Sequence, residues 1–136
     1  MIQCSFTVYG TPKPQGSMRA FMRAGMKHPV LTTDNKKLKP WRQEVTGAAL
    51  AQNFQQLEGP VSITLDFHFT RPKSAKKRNG MTVKPDIDKL QRSIFDSLTG
   101  VLFRDDAQIV RVVARKHYSD PERVDIQVRE ELESRP

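Results

Sequence analysis

The strictest constraint on the fold of this chain is the ten-residue segment VSITLDFHFT, residues 61–70. Polar and apolar side chains alternate along it without an error, and the apolar set is Val61, Ile63, Leu65, Phe67 and Phe69. Because successive side chains of a β-strand point to opposite faces of the sheet, this pattern predicts a strand with one buried and one polar face.

A second segment, KPDIDKLQRSIFDSLTGVLFRDD from Lys84 to Asp106, has a different period. Its apolar residues recur at spacings of three and four, as is typical of an amphipathic helix, and they are Ile87, Leu90, Ile94 and Leu98. The pattern predicts a helix from about Asp86 to Thr99, with Gly100 as its C-terminal stop.

The remaining segments complete an α/β (α+β) pattern. Residues 2–9 alternate as a strand, and GTPKPQGS after them has the composition of a loop. A helical pattern runs from Pro40 to about Gln56, and residues 18–30 are compatible with a hairpin or an irregular arm. Residues 107–118 and 123–131 indicate partner strands joined by the turn SDPE. We therefore expect one domain over 1–136, with a small mixed sheet and two main helices.

The charge balance indicates a polyanionic partner. The chain has 23 lysines and arginines, 15 acidic residues and a net charge of +8, which favours DNA, RNA or an anionic surface. No apolar run approaches the roughly 18–20 residues of a membrane span, and the N-terminus has no signal-peptide pattern. Cys4 is the only cysteine, which excludes an internal disulfide and a cysteine zinc site. These features predict a cytoplasmic protein without a membrane segment.

Acidic residues are nevertheless gathered between Lys84 and Asp106, at Asp86, Asp88, Asp96, Asp105 and Asp106. Structural roles could explain each of them. Asp86 or Asp88 could cap the helix, Asp88, Arg92 and Asp96 could form surface ion pairs, and Asp105-Asp106 could be a solvated turn.

A functional role could explain the whole set. A chain return after Gly100 can bring the pair Asp105-Asp106 back to Asp86 and Asp88, and converging carboxylates repel one another unless a cation is present. Oxygen ligands of this kind suit Mg²⁺ or Mn²⁺. Such a metal can activate water against a phosphate, and the basic residues elsewhere can hold the nucleic acid backbone.

The segment PDIDKLQRSIFDSLTGVLFRDDAQI resembles the signature of the RusA family of Holliday-junction resolvases. The family pattern has an Asp-x-Asp-Asn pair at a helix start, a Lys four residues after the second Asp, Asp-x-Leu, and Asp-Asp-x-Gln-Ile/Val. FTVYGTPKPQGSMR also resembles the family's opening strand and Gly-Pro loop. The resemblance implies a homodimer that cuts four-way DNA junctions with Mg²⁺, for which Mn²⁺ can substitute.

The resemblance also implies roles for individual residues. Asp86, Asp88 and Asp106 fall on the metal ligands of the family, and Asp105 is their neighbour without an assigned role. Two positions depart from the pattern, because Lys89 stands where the family has Asn and Arg92 stands where it has Lys. Arg92 can steady a phosphate but cannot readily transfer a proton. Lys89 lies three residues before Arg92 on nearly the same helical face and could substitute for the family's Lys.

Five basic residues in the segment RPKSAKKRNG are candidates for DNA contact, namely Arg71, Lys73, Lys76, Lys77 and Arg78. Two other functions remain compatible with the sequence. One is a non-catalytic DNA- or RNA-binding protein that uses its basic charge alone. The other is a dimeric interaction protein whose aspartates serve as helix caps and ion pairs.

Overall fold

A computed structural model describes residues 2–16, 18–21, 30–33 and 36–132. The strands are β1 (Gln3–Tyr9), β2 (Met18–Phe21), β3 (Val30–Thr33), β4 (Val61–Phe69), β5 (Ile109–Tyr118) and β6 (Arg123–Glu130). The two α-helices are α1 (Leu38–Ala51) and α2 (Ile87–Leu98). Short 3₁₀ turns lie at Lys73–Ala75 and Asp106–Gln108. The fold is α+β, as the sequence predicts.

The main sheet has four strands in the order β1-β6-β4-β5. β4 pairs in parallel with β5 and antiparallel with β6, and β1 pairs antiparallel with β6. α2 is the connection between the parallel strands β4 and β5, which is the usual way to join parallel neighbours. β5 forms one edge of this sheet, so its outer backbone edge has no neighbour within it.

Both helices cover the apolar face of the sheet. The fully buried apolar side chains of α2 are Leu90, Ile94 and Leu98. They pack with the apolar side chains of β4 and with Trp41 and Val45 of α1. The Thr46 hydroxyl donates to the carbonyl oxygen of Ser97 at 2.8 Å and ties the two helices together. The helix predicted near the aspartates is therefore fixed rigidly against the central strand.

The opposite face of the sheet carries polar side chains, four of which form two histidine–aspartate pairs. His68 Nε2 lies 2.9 Å from Asp125 Oδ2, and His117 Nε2 lies 2.7 Å from Asp66 Oδ1. The two imidazole rings stack with centroids 4.9 Å apart. His68 is buried. Since this face lies opposite the helices, the side chains of Asp66 and His68 point away from α2.

Two sequence-based expectations change, and a third is described in part. α1 begins at Leu38 and ends at Ala51, five residues before the predicted Gln56, because the chain turns at Asn53, which has a φ of 50°. β5 and β6 are not neighbours, since β4 lies between them. β2 and β3 pair antiparallel, whereas residues 22–29 of the predicted hairpin or arm lie outside the described residues.

No helix in the described part of the chain combines the length and apolar character that crossing a bilayer requires.

Candidate nuclease site

The first turn of α2 presents two exposed carboxylates. Asp86 is the N-cap residue of the helix in backbone terms, but its side chain makes no capping hydrogen bond. Asp88 lies in the first turn, where its charge is favourable at the positive end of the helix dipole. Among the described residues, no hydrogen bond or ion pair engages either carboxylate, so the predicted capping role of Asp86 is not observed.

Contacts from other elements hold the segment that leads into α2. The Lys116 ammonium group donates to the carbonyl oxygens of Val83 at 2.8 Å and Pro85 at 3.0 Å. On the other side, the Ser93 hydroxyl donates to the carbonyl oxygen of Lys13 at 2.8 Å. These contacts fix the start of α2 between β5 and the Gly-Pro loop. Sequence reasoning missed Lys116, because no local pattern shows which strand residue reaches a distant carbonyl.

Arg92 lies one helical turn after Asp88 and is exposed. The ion pairs predicted between Arg92 and its neighbours Asp88 and Asp96 are not observed among the described residues. The guanidinium group of Arg92 is therefore not held by either carboxylate. Lys89 is half-buried and its carbonyl oxygen accepts from the backbone N–H of Gln15 at 2.9 Å.

The adjacent residues Asp105 and Asp106 have different environments. The Asp105 carboxylate accepts from the backbone N–H of Ala107 at 2.9 Å and caps the 3₁₀ turn. This hydrogen bond, together with one to the Asp106 side chain, lowers the pKa of Asp105. In contrast, the hydrogen bond to Asp105 and the negative charges of Asp105 and Asp96 raise the pKa of Asp106. Asp105 is thus part of the turn, and Asp106 is exposed among other carboxyl groups.

Gln108 locks this turn to the rest of the protein. Its side-chain oxygen accepts from the backbone N–H groups of Arg104 and Asp105 at 2.8 and 2.9 Å. Its side-chain nitrogen donates to the carbonyl oxygens of Leu57 and Gly59 at 2.9 and 3.0 Å. The Gln-Ile pattern after the two aspartates therefore has a structural reason, which is to fix Asp106 beside the last turns of α2.

Within the described part of one chain, the two acidic groups lie apart. Asp96 is close enough to Asp106 to affect its pKa, whereas Asp86 precedes Asp96 by ten residues, or about 15 Å along a helix. Among the described residues, no group of three or more histidine, cysteine or acidic side chains has the geometry to hold a metal ion. The expectation that the chain return after Gly100 brings both pairs together is therefore wrong for a single protomer.

The predicted DNA-binding loop divides into supporting and exposed residues. Arg71 donates to the carbonyl oxygens of Ala75 and Arg78 at 2.7 and 2.8 Å, and Arg78 donates to the Tyr118 hydroxyl at 2.6 Å. Both arginines therefore shape the loop itself. Arg71 is nevertheless exposed, and so are Lys73, Lys76 and Lys77, whereas Arg78 is half-buried.

The sequence of this chain matches the model of a known protein family. The family model for endodeoxyribonuclease RusA matches residues 10–129, which include both acidic groups and the Gly-Pro loop. The chain belongs to the RusA family. It is also 33% identical over 137 residues to the uncharacterized protein YqaN of Bacillus subtilis (strain 168), covering 92% of this chain and 94% of that protein.

Membership in this family implies a nuclease that hydrolyses DNA and, as the activity of the family, resolution of Holliday junctions. Resolvases of this kind generally require a divalent metal ion. The exposed acidic residues of α2 and the net charge of +8 agree with that chemistry.

Proposed function

We propose that this protein is a divalent-metal-dependent endonuclease that cuts four-way DNA junctions as a homodimer, in the cytoplasm. The observation that carries the proposal is the placement of exposed aspartates at the start of α2 and beside its later turns. Asp86 and Asp88 lie at the start of α2, and Asp106 lies beside its end. In a family of DNA endonucleases, these are the residues that can hold a metal at a phosphate.

The separation of the two groups supports a site shared between protomers. Mg²⁺ binds oxygen ligands at about 2.1 Å, so one ion cannot contact both ends of a 12-residue helix about 18 Å long. Two copies related by a two-fold axis perpendicular to α2 would bring their helices together antiparallel. Asp86 and Asp88 of one copy would then face Asp106 of the partner subunit, and two equivalent sites would result.

An uncovered apolar patch at the edge of the sheet supports the homodimer. Ile63 pairs with Val112, so both side chains point to the face that the helices cover. Nevertheless Val112 is 36% exposed and Val110 is 55% exposed, on an edge strand next to Asp106. An apolar edge of this kind favours association with another chain, and a second copy of α2 is a suitable cover.

The donor set fits Mg²⁺ or Mn²⁺. The three ligands Asp86, Asp88 and Asp106 offer oxygen atoms alone, which hard divalent ions prefer. The hydrogen bond to Asp105 and then the negative charges of Asp105 and Asp96 raise the pKa of Asp106, and a bound cation would offset those charges. When bound, the ion activates water and offsets charge on the phosphate.

Arg92 and Lys89 would assist at the same helix face. Arg92 is exposed one turn after Asp88, so its guanidinium can donate two hydrogen bonds to a phosphate and offset charge in the transition state. Lys89, which replaces the Asn of the family pattern, adds a second positive charge nearby. Lys73, Lys76 and Lys77 supply contacts to the DNA backbone farther from the cut, while Arg71 and Arg78 hold the loop that carries them.

Cleavage assays with the purified protein test this function directly. We expect paired nicks in a four-way junction with Mg²⁺, no nicks with EDTA, and little cleavage of a linear duplex of the same sequence. Asp86→Asn should abolish nicking and leave junction binding intact, because it removes a ligand and a negative charge near the phosphate. Glu44→Gln, an exposed acid on α1, is the matched control and should cleave normally.

A specific result would favour the non-catalytic alternative. If the protein binds junctions but cuts none of them with Mg²⁺ or Mn²⁺, and Asp86→Asn changes nothing, the chain is a DNA-binding protein that uses its basic charge alone.

A further inference from the structure

A cavity of about 610 Å³ opens directly beside Asp86. Its walls are the Gly-Pro loop at residues 11–16, the segment that leads into α2, and the ends of β4 and β5. This volume lies within the range of pockets that enclose most of a small organic ligand. The metal and phosphate chemistry proposed above uses Asp86 and Lys89 of this lining but none of its apolar side chains.

The cavity wall is mostly apolar and contains several flat or flexible surfaces. The side chains that matter for a ligand are those of Pro12, Pro14, Met81, Val83 and Tyr118. Proline and tyrosine rings offer flat surfaces, and methionine adapts to the shape of an aromatic ligand. Such a wall suits a planar ring system.

Tyr118 is held in place by the basic loop. The Arg71 guanidinium lies 4.5 Å from the centroid of the Tyr118 ring, and Arg78 donates to its hydroxyl at 2.6 Å. A ring fixed on one face and at its hydroxyl loses little further freedom when a ligand packs against it. This contact gives the two arginines a purpose other than direct binding of DNA.

Charges at the cavity favour an anion. Lys13, Lys84 and Lys89 all contribute to the lining. The carboxylate of Glu122 also lines the cavity, but it accepts hydrogen bonds from the Thr11 hydroxyl at 2.6 Å and the Thr70 backbone N–H at 2.9 Å. Its charge is therefore partly offset by the fold, and the three lysines outnumber the acids.

We infer that this cavity receives the base of one nucleotide of the DNA substrate, turned out of the helical stack next to the cleaved phosphate. The base packs against Tyr118 and the apolar wall, and the lysines hold the flanking phosphates. Unstacked bases are commonly bound on aromatic and apolar side chains, and a branch point already has weakened stacking. The inference rests on the proposed function, because it takes DNA to be the substrate held at Asp86.

Two variants with matched exposure test the cavity. Val83 lines it and is 43% exposed, and its backbone carbonyl accepts a hydrogen bond from Lys116. Val83→Glu thus adds bulk and negative charge inside the cavity without removing a core residue. Ile2 is 53% exposed at the far end of β1, and its carbonyl likewise accepts one hydrogen bond. Ile2→Glu is therefore the control.

The measurement is the dissociation constant for a four-way junction in EDTA, with single abasic sites placed in turn at each nucleotide near the branch point. For the wild type and Ile2→Glu, we expect one position at which loss of the base weakens binding about 5–150-fold, the range for a stacked base. For Val83→Glu that penalty should disappear, because the base has no cavity to enter.

The outcomes separate this inference from the proposed function. Equal abasic penalties in Val83→Glu and the wild type, or no penalty at any position, would overturn the base-binding cavity even if junctions are cut. Loss of dimerisation in Val83→Glu would also overturn it, since the cavity would then serve a second copy of the chain. The same scan on a single strand detects the cavity without a junction, so a lack of junction preference contradicts only the proposed function.

Discussion

Asp105 and Asp106 are neighbours in sequence with different chemical roles. Asp105 uses its carboxylate to cap the 3₁₀ turn, whereas Asp106 is exposed and close to other carboxyl groups. Asp105→Asn should keep the cap, because asparagine also accepts at this position, and should cleave junctions normally. Asp106→Asn should lose a metal contact worth several kcal/mol, or at least about 10²-fold in rate. Single-turnover nicking rates measured side by side check this difference.

Arg92 offers a second prediction at the residue scale. It forms no ion pair with its neighbours on α2, so a purely structural role would predict little change in Arg92→Ala. As a group that stabilises charge on the phosphate, its loss should lower the cleavage rate by about 10²–10³-fold while binding persists. Arg92→Lys should restore much of the rate if positive charge is what matters.

Lys39→Ala is the control for Arg92→Ala, because it removes an equal charge from the exposed face of α1. Wild-type cleavage by Arg92→Ala would remove Arg92 from the site and leave the three aspartates in it.

The lowered pKa of Asp125 leads to a prediction about how the stability of the fold depends on pH. Burial alone would raise its pKa, but hydrogen bonds from Thr7 and His68 and the charge of Arg123 hold the pKa below its ordinary value of 3.8. A lowered pKa in the folded state stabilises the protein above the unfolded pKa, and this stabilisation is lost as pH falls through the folded pKa.

Denaturant unfolding of the wild type and Asp125→Asn, compared at about pH 6 and about pH 3, checks this effect. At about pH 6 the wild type should be more stable than Asp125→Asn. The difference in their free energies of unfolding should shrink at about pH 3. A difference in the free energy of unfolding that is the same at both values would contradict the role of the Asp125 charge.

Among the elements, those with clear periodicity were predictable from sequence. β4 and α2 have almost the predicted bounds, because each repeats its apolar residues at the period of its backbone and one face is buried. α1 ends early because Asn53 reverses the chain, and the apolar residues after it, such as Phe54 and Leu57, pack from an irregular segment. Apolar spacing alone does not distinguish that segment from another helical turn.

Contacts between distant elements were less predictable. The turn between β5 and β6 has the composition of a hairpin, but β4 occupies the position between these strands. Strand order depends on which faces the helices cover, and local sequence does not encode it. For the same reason the aspartates could be identified from sequence, whereas the separation of Asp86 from Asp106 required the packing of α2 against the sheet.

The exposed edge of β5 gives a prediction about assembly. Val112→Glu would place a charge in the patch where the homodimer is proposed to form, and burying one valine contributes about 1.5 kcal/mol or more, roughly tenfold in affinity. We expect sedimentation at micromolar concentration to show more monomer for this variant, with a matching loss of cleavage. Leu50→Glu, 60% exposed on α1, should remain a dimer.

A wild-type protein that is monomeric with and without DNA would count against the homodimer, whatever the effect of Val112→Glu.

At the scale of the whole molecule, charge is divided between two tasks. The chain carries 23 basic residues against 15 acidic ones, and five of those acidic residues lie between Lys84 and Asp106. The basic side chains attract a DNA backbone. The aspartates between Lys84 and Asp106 are proposed to bind the divalent cation that catalyses the cleavage. Neither acidic pair completes a metal site within the part of the chain that the structure describes, so catalysis is expected to depend on assembly.

The central claim is that each site joins Asp86 and Asp88 of one protomer with Asp106 of the partner subunit. Asp86→Asn and Asp106→Asn homodimers should both be inactive, because every site lacks a ligand. In a mixed dimer both substitutions fall in one site and the other site is intact. Co-refolded mixtures should therefore recover nicking in proportion to the mixed dimers formed.

A mixture of Asp86→Asn with Asp88→Asn is the control. Both substitutions remove ligands from the same end of α2, so each site of the mixed dimer is damaged and the mixture should stay inactive. The decisive measurement is nicking of a four-way junction by the Asp86→Asn and Asp106→Asn mixture with Mg²⁺. Recovered nicking is the result predicted by a site shared between protomers, and a mixture as inactive as its parents would contradict it.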